Sequence, residues 1–177
     1  MPDKFSQGAF DDRNWIEKIT ESIPLYSGYQ NRDRRRETDK LLRSFISDQI
    51  NEVNQTIKKV ALFLTDSGII QPLQKIDRIW AEMEYLRDKI RIASYGYSGF
   101  FDTLKINEDV IEVLYKCDLE VLEKVKALKK LIQTPAASNF DKPDQISSQI
   151  NKWAEEVENL KQKILERDSI IIKSKGL

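Results

Sequence analysis

A seam of apolar residues at spacings of three and four constrains the fold most strongly. It runs through a stretch from about residue 31 to residue 66, and such spacing places all its members on one face of an α-helix. The seam consists of Leu42, Ile46, Ile50, Val53, Ile57, Val60 and Leu64. Leu41, Phe45, Ala61 and Phe63 widen this face. The width indicates a bundle with several neighbouring helices rather than a two-stranded coiled coil.

The remainder of the chain predicts three more core helices. Gly68 follows a polar turn and can take the left-handed conformation that ends a helix, so the first long helix should stop there and reverse. Further helices are expected over about 72–94, 107–133 and 144–172, each with apolar residues at helical spacing. The last of them has the most regular heptad pattern.

The N-terminal residues 1–28 predict a loose tail followed by a short amphipathic helix that Pro24 closes. Its apolar face consists of Trp15, Ile16, Ile19 and Ile23, and its acidic residues are Asp11, Asp12, Glu17 and Glu21. A helix this short is marginal by itself in water. We therefore expect it to dock on the bundle or on a partner, since its acidic residues disfavour the alternative of an anionic membrane surface.

These elements together predict an all-α fold. The expected architecture is an elongated antiparallel four-helix bundle with coiled-coil-like packing over residues 29–177, preceded by the short docking helix. The longest helix should extend for about 54 Å.

The composition excludes much catalytic chemistry. The chain has no histidine, which removes the commonest general base and the commonest transition-metal ligand. Phosphate-binding loops, nucleophile elbows and zinc-type cysteine spacings are also missing from the sequence. We therefore expect no enzyme, no cofactor and no metal site. The 29 basic and 29 acidic residues cancel, so no overall field attracts nucleic acid or anionic lipid.

The single cysteine and the hydropathy pattern favour a cytoplasmic protein. Cys117 lies at helical spacing between apolar residues and is expected to be a small buried hydrophobe. The N-terminus lacks the apolar core of a signal peptide. No apolar run approaches the roughly 20 residues that cross a bilayer.

An arginine-rich run at the start of the first long helix is the strongest local charge feature. It contains Arg32, Arg34, Arg35, Arg36, Lys40 and Arg43. Guanidinium groups bind phosphates, so one interpretation is a surface for nucleic acid or anionic membrane. Acidic residues are interleaved, however, and Asp39 lies four residues from both Arg35 and Arg43. This spacing favours a solvated helix face stabilised by ion pairs.

A glycine and aromatic cluster interrupts the helical pattern at residues 95–101. It contains Tyr95, Tyr97, Phe100 and Phe101 around two glycines. The rings predict either a plug that closes the end of the bundle, which is the favoured interpretation, or an exposed binding surface.

The segments Tyr29–Leu42 and Arg91–Asp102 resemble a family of uncharacterised all-helical proteins of prokaryotes. The resemblance covers about residues 15–133. It implies an all-helical fold in which the arginine run and the Tyr-Gly-Tyr-x-Gly segment are recognisable motifs, and it implies no activity.

The function that these features favour is a non-enzymatic helical interaction or scaffold protein. It would bind a protein partner or copies of itself through its helix faces and the aromatic cluster. The alternative is a peripheral binder of nucleic acid or anionic membrane through the arginine run. The sequence does not decide the partner, the oligomeric state or the role of the apolar residues 170–172.

Overall fold

The structure is a computed structural model that describes residues 32–92, 108–133 and 143–174. These residues form four helices, with no strand among them, and the helices pack against each other. The predicted all-α fold is thereby confirmed. The helices are α1 (Arg32–Asp66), α2 (Leu73–Ile92), α3 (Glu108–Gln133) and α4 (Pro143–Ser174). The predicted helix within residues 1–28 lies outside the described residues.

The apolar seam of α1 lies in the core, as predicted. All seven of its members, from Leu42 to Leu64, are buried. They pack in one cluster with buried residues of the other three helices, including Met83, Val125 and Trp153. Each helix has two main neighbours: α1 packs on α2 and α3, and α4 packs on α2 and α3. Of the four residues predicted to widen the apolar face of α1, Phe45 and Ala61 pack against this core. The prediction is wrong for Leu41 and Phe63, which are each 50% exposed.

Gly68 ends α1 in the left-handed conformation that the sequence predicts. Its φ is +72°. Its N–H donates to the carbonyl of Thr65 at 3.0 Å, and the N–H of Ile69 donates to the carbonyl of Leu64 at 2.8 Å. These two bonds form a Schellman motif, which satisfies carbonyl groups that the last turn of a helix otherwise leaves free.

One end of the bundle is defined by contacts between the start of α1 and the end of α2. The side chain of Arg43 lies 3.5 Å and 3.4 Å from the carbonyl oxygens of Ile90 and Arg91. At the same level, Arg167 of α4 contacts Asp118 of α3. We call this region the ion-cluster end. Residues 93–107, which connect α2 to α3, follow α2 from this end.

Candidate functional site

Four ionisable side chains meet inside the bundle, and we call them the ion cluster. Asp39 and Arg43 come from α1, Asp118 from α3 and Arg167 from α4. Each of them is 4% exposed or less. Arg43 lies 2.8 Å from Asp39, and Arg167 lies 3.2 Å from the other oxygen of Asp39. Arg167 also binds both carboxylate oxygens of Asp118 through two of its nitrogens.

The charges of the ion cluster balance, because two guanidinium groups face two carboxylates. Such a network is stable only when each charge has close partners, since the interior does not replace the hydration that the charges lose. Burial raises the pKa of Asp118, and the charge and hydrogen bonds of Arg167 oppose this shift. The pKa of Asp118 is raised overall, and Arg167 is the partner that limits this rise most.

The burial of Asp39 and Arg43 corrects one expectation. The predicted ion pair between them, four residues apart, is present. The predicted solvated helix face is wrong at these two residues, because α3 and α4 cover them and bring Asp118 and Arg167 against α1. Arg43 is thus part of the interior and not of a basic surface.

Arg43 also closes the end of α2. The carbonyl groups in the last turn of a helix have no partner within that helix. The guanidinium of Arg43 approaches two of them, those of Ile90 and Arg91. A cation at this position also interacts favourably with the helix dipole. The ion cluster therefore links all four helices.

Cys117 lies next to the ion cluster, at the boundary of α3 and α4. It is buried, as predicted. Its Sγ atom is 3.8 Å from the carbonyl oxygen of Lys163, to which the thiol can donate a weak hydrogen bond. Burial, and then the charge of Asp118, raises the pKa of the thiol to about 11. The thiol is therefore protonated at neutral pH and is a poor nucleophile.

Several exposed apolar side chains lie close in sequence to the residues of the ion cluster. Among the described residues, nine large apolar side chains are exposed, and five of these lie within five positions of an ion-cluster residue or of Arg91. The five are Leu41, Ile92, Val113, Leu165 and Ile172, which are between 38% and 53% exposed. All four helices contribute to this set. The ion-cluster end thus has paired, buried charges in its interior and individual apolar side chains exposed on its outside.

The structure does not describe the side chains of the predicted interaction residues. Tyr95, Tyr97, Phe100 and Phe101 lie outside the described residues. Arg32, Arg34, Arg35 and Arg36 belong to the first turns of α1, but their side chains are not described. No contact between these two groups is therefore established.

The described residues contain no group of three or more His, Cys, Asp or Glu side chains placed to hold a metal ion. None of the four helices is both long and apolar enough to span a membrane.

Comparison with known proteins adds no relative. No family model matches the chain, and neither a curated protein nor a solved structure shows significant similarity to it. The resemblance to a family of helical prokaryotic proteins stays a prediction.

Proposed function

We propose that this chain is a non-enzymatic interaction or scaffold protein that associates with copies of itself through the ion-cluster end. Its fold in this proposal is an elongated four-helix bundle built from two antiparallel pairs, α1 with α2 and α3 with α4. Contacts between helix ends support this arrangement. The start of α1 meets the end of α2, and Gln149 near the start of α4 donates to the carbonyl of Leu131 near the end of α3. With 35 residues, α1 extends for about 52 Å.

The observation that carries this proposal is that Leu41 on α1 and Val113 on the neighbouring helix α3, both close to the ion cluster, each expose about half of a large apolar side chain. Large apolar side chains that are exposed on neighbouring helices are groups from which protein interfaces are built. Tyr95, Tyr97, Phe100 and Phe101 follow Ile92 within nine positions of the chain. We include them in the proposed surface because aromatic residues frequently dominate the binding energy of interfaces.

The first test compares two pairs of exposed residues by size-exclusion chromatography with light scattering. Leu41 and Val113 are about half exposed at the ion-cluster end, and Leu62 and Ile70 are 62% and 71% exposed near the opposite end. The wild type should be oligomeric at micromolar concentration. The Leu41→Glu, Val113→Glu variant should be a folded monomer, whereas the Leu62→Glu, Ile70→Glu control should keep the wild-type mass. A monomeric wild type, or an oligomer that both variants preserve, contradicts the proposal.

The second test concerns the aromatic residues. We expect the Tyr97→Ala, Phe100→Ala variant to remain helical by circular dichroism and to become monomeric. A variant that loses helicity and melts at much lower temperature shows instead that the rings are core residues. In that case the interface is confined to the side chains of the helices.

A second candidate function uses Arg32, Arg34, Arg35 and Arg36, which α1 gathers within its first two turns. In this case the protein binds nucleic acid or an anionic membrane at its periphery. The burial of Arg43 removes one cation from this surface. Binding should weaken steeply between low and moderate salt and in an Arg34→Glu, Arg35→Glu, Arg36→Glu variant. Retention that is unchanged in both conditions excludes this function.

A cytoplasmic location stays a prediction.

A further inference from the structure

A groove follows the boundary between α2 and α4 on the outside of the bundle. Three polar contacts cross it: Lys75 to Asn151, Glu82 to Lys161, and Lys89 to Asp168. The residue numbers rise together in these contacts, so α2 and α4 run side by side in the same direction. A cavity of about 420 Å³ opens in the groove and is lined by residues that include Arg78, Ile79, Ala154 and Val157.

Exposed apolar residues continue this groove toward the ion-cluster end. On α2, Tyr85 and Ile92 follow Arg78 at intervals of seven residues, and on α4, Leu165 and Ile172 follow Ala154 by 11 and 18 residues. These intervals are close to whole numbers of helical turns, so they place each set on one face of its helix. Tyr85 and Ile92 are 53% and 52% exposed, and Leu165 and Ile172 are 38% and 53% exposed.

The groove has a cationic end at the start of α2. Arg78 is exposed and has no hydrogen bond or ion pair among the described residues. Lys75 donates only to the neutral side chain of Asn151. The groove therefore combines exposed apolar side chains with the three polar contacts that cross it. At one end it also has the charge of Arg78, which forms no ion pair among the described residues, in a cavity that Glu82 also lines.

We propose that this groove binds an amphipathic helix with an acidic N-terminal end, and that its occupant is the chain's own segment of residues 11–23. Ile16 and Ile23 are seven residues apart, the same interval as Tyr85 to Ile92 and Leu165 to Ile172. When Ile23 lies beside Ile92, Ile16 lies beside Tyr85. Asp11 and Asp12 then lie within one or two turns of Arg78.

The length of the connecting chain permits this contact. Arg43 is level with the end of α2, so Arg32 lies about 16 Å beyond that end along the bundle axis. Neighbouring helices are about 10 Å apart, which places Arg32 roughly 20 Å from Ile92. Residues 24–31 can span up to about 30 Å when extended. Ile23 can therefore reach Ile92 within one chain.

A nitroxide label tests the contact by paramagnetic broadening of NMR signals in the full chain. Ala81 is exposed on α2, one turn from Arg78, and Gln55 is exposed on the outside of α1. The buried thiol of Cys117, whose pKa is raised, does not compete for the label. We expect a label at Ala81→Cys to broaden the amide signals of residues 11–23, and a label at Gln55→Cys to leave them sharp. The Tyr85→Glu variant should abolish the broadening.

Two controls make the result decisive. Mixing isotope-labelled chains without nitroxide and nitroxide-labelled chains without isotope should give no broadening. Broadening in the mixture identifies a second copy as the occupant and overturns the proposal. The proposal is also overturned when a label at Ala81→Cys does not broaden residues 11–23 of its own chain.

Arg78→Glu should weaken the contact, and adding Asp11→Lys and Asp12→Lys should restore it. Failure of this charge exchange overturns the proposed orientation. These variants leave Leu41 and Val113 unchanged, and the groove lies on α2 and α4 rather than on α1 and α3, so self-association is tested separately.

Discussion

Arg167 is the residue on which the ion cluster converges. It binds Asp118 and Asp39 from two different helices and is fully buried. A buried ion pair adds little net stability compared with an apolar replacement, because both charges lose their hydration. Loss of one partner is much more harmful, since the remaining charge stays buried without compensation. We therefore expect the cluster to act mainly by fixing which residues of α1, α3 and α4 face each other.

The first prediction concerns removal of this guanidinium. Arg167→Met should lower the free energy of unfolding by about 3–5 kcal/mol, because Asp118 is left buried without its main partner. Urea denaturation followed by circular dichroism measures this loss. The double variant Asp118→Leu, Arg167→Met should lose less than Arg167→Met alone, and the exposed control Arg78→Met should change by less than about 0.5 kcal/mol. A loss below about 1 kcal/mol for Arg167→Met contradicts the structural role of the cluster.

The second prediction concerns Cys117. Its raised pKa of about 11, compared with an ordinary value of 9.0, means that the folded state holds the thiol proton more tightly than the unfolded state. The contribution of Cys117 to the free energy of unfolding should therefore fall as the pH rises from about 9 to about 11. Cys117→Ala should remove this part of the pH dependence. Reaction with a disulfide reagent at pH 8 should be slow in the folded protein and fast in urea, and equal rates would contradict burial.

At the scale of helices, the apolar seams were predictable and the charged members of those seams were not. Leu42, Ile50 and Leu64 follow helical spacing and are buried. Asp39, Asp118 and Arg167 continue the same seams. Asp118 and Arg167 each have a buried apolar residue three or four positions away on both sides, and Asp39 lies three positions before the first buried apolar residue of its seam. Charged residues at such positions are usually solvated. Their pairing depends on contacts between helices far apart in sequence, which no local pattern contains.

The third prediction concerns the end of α1. A Cβ atom at Gly68 meets no atom within 4 Å, so space is available, but its φ of +72° is unfavourable for residues with a side chain. Gly68→Ala should lower the free energy of unfolding by about 1 kcal/mol, and Gly68→Asn should lower it less, because asparagine tolerates this conformation better. Thermal unfolding compares the two variants with the wild type. A fully neutral Gly68→Ala contradicts the left-handed cap.

At the scale of the whole molecule, the bundle has differently stabilised ends. The ion-cluster end depends on charges that must remain paired, whereas the opposite end is closed by the Gly68 cap and packed through apolar residues such as Leu64, Ile76 and Trp153. One region of a protein often unfolds locally, before the rest, when its stability depends on its own set of contacts. The two ends can therefore respond differently to the same substitution.

Hydrogen exchange followed by mass spectrometry tests this fourth prediction. In Arg167→Met, amides near residues 39–46 and 114–121 should exchange faster than in the wild type by a larger factor than amides near residues 57–64 and 128–132. The physical reason is that the substitution leaves buried charges only at the ion-cluster end, so that water gains access there first. Gly68→Ala is the matched perturbation at the opposite end and should show the reverse order. Equal acceleration throughout the helices in both variants means that the bundle opens only as one cooperative unit, and contradicts independent ends.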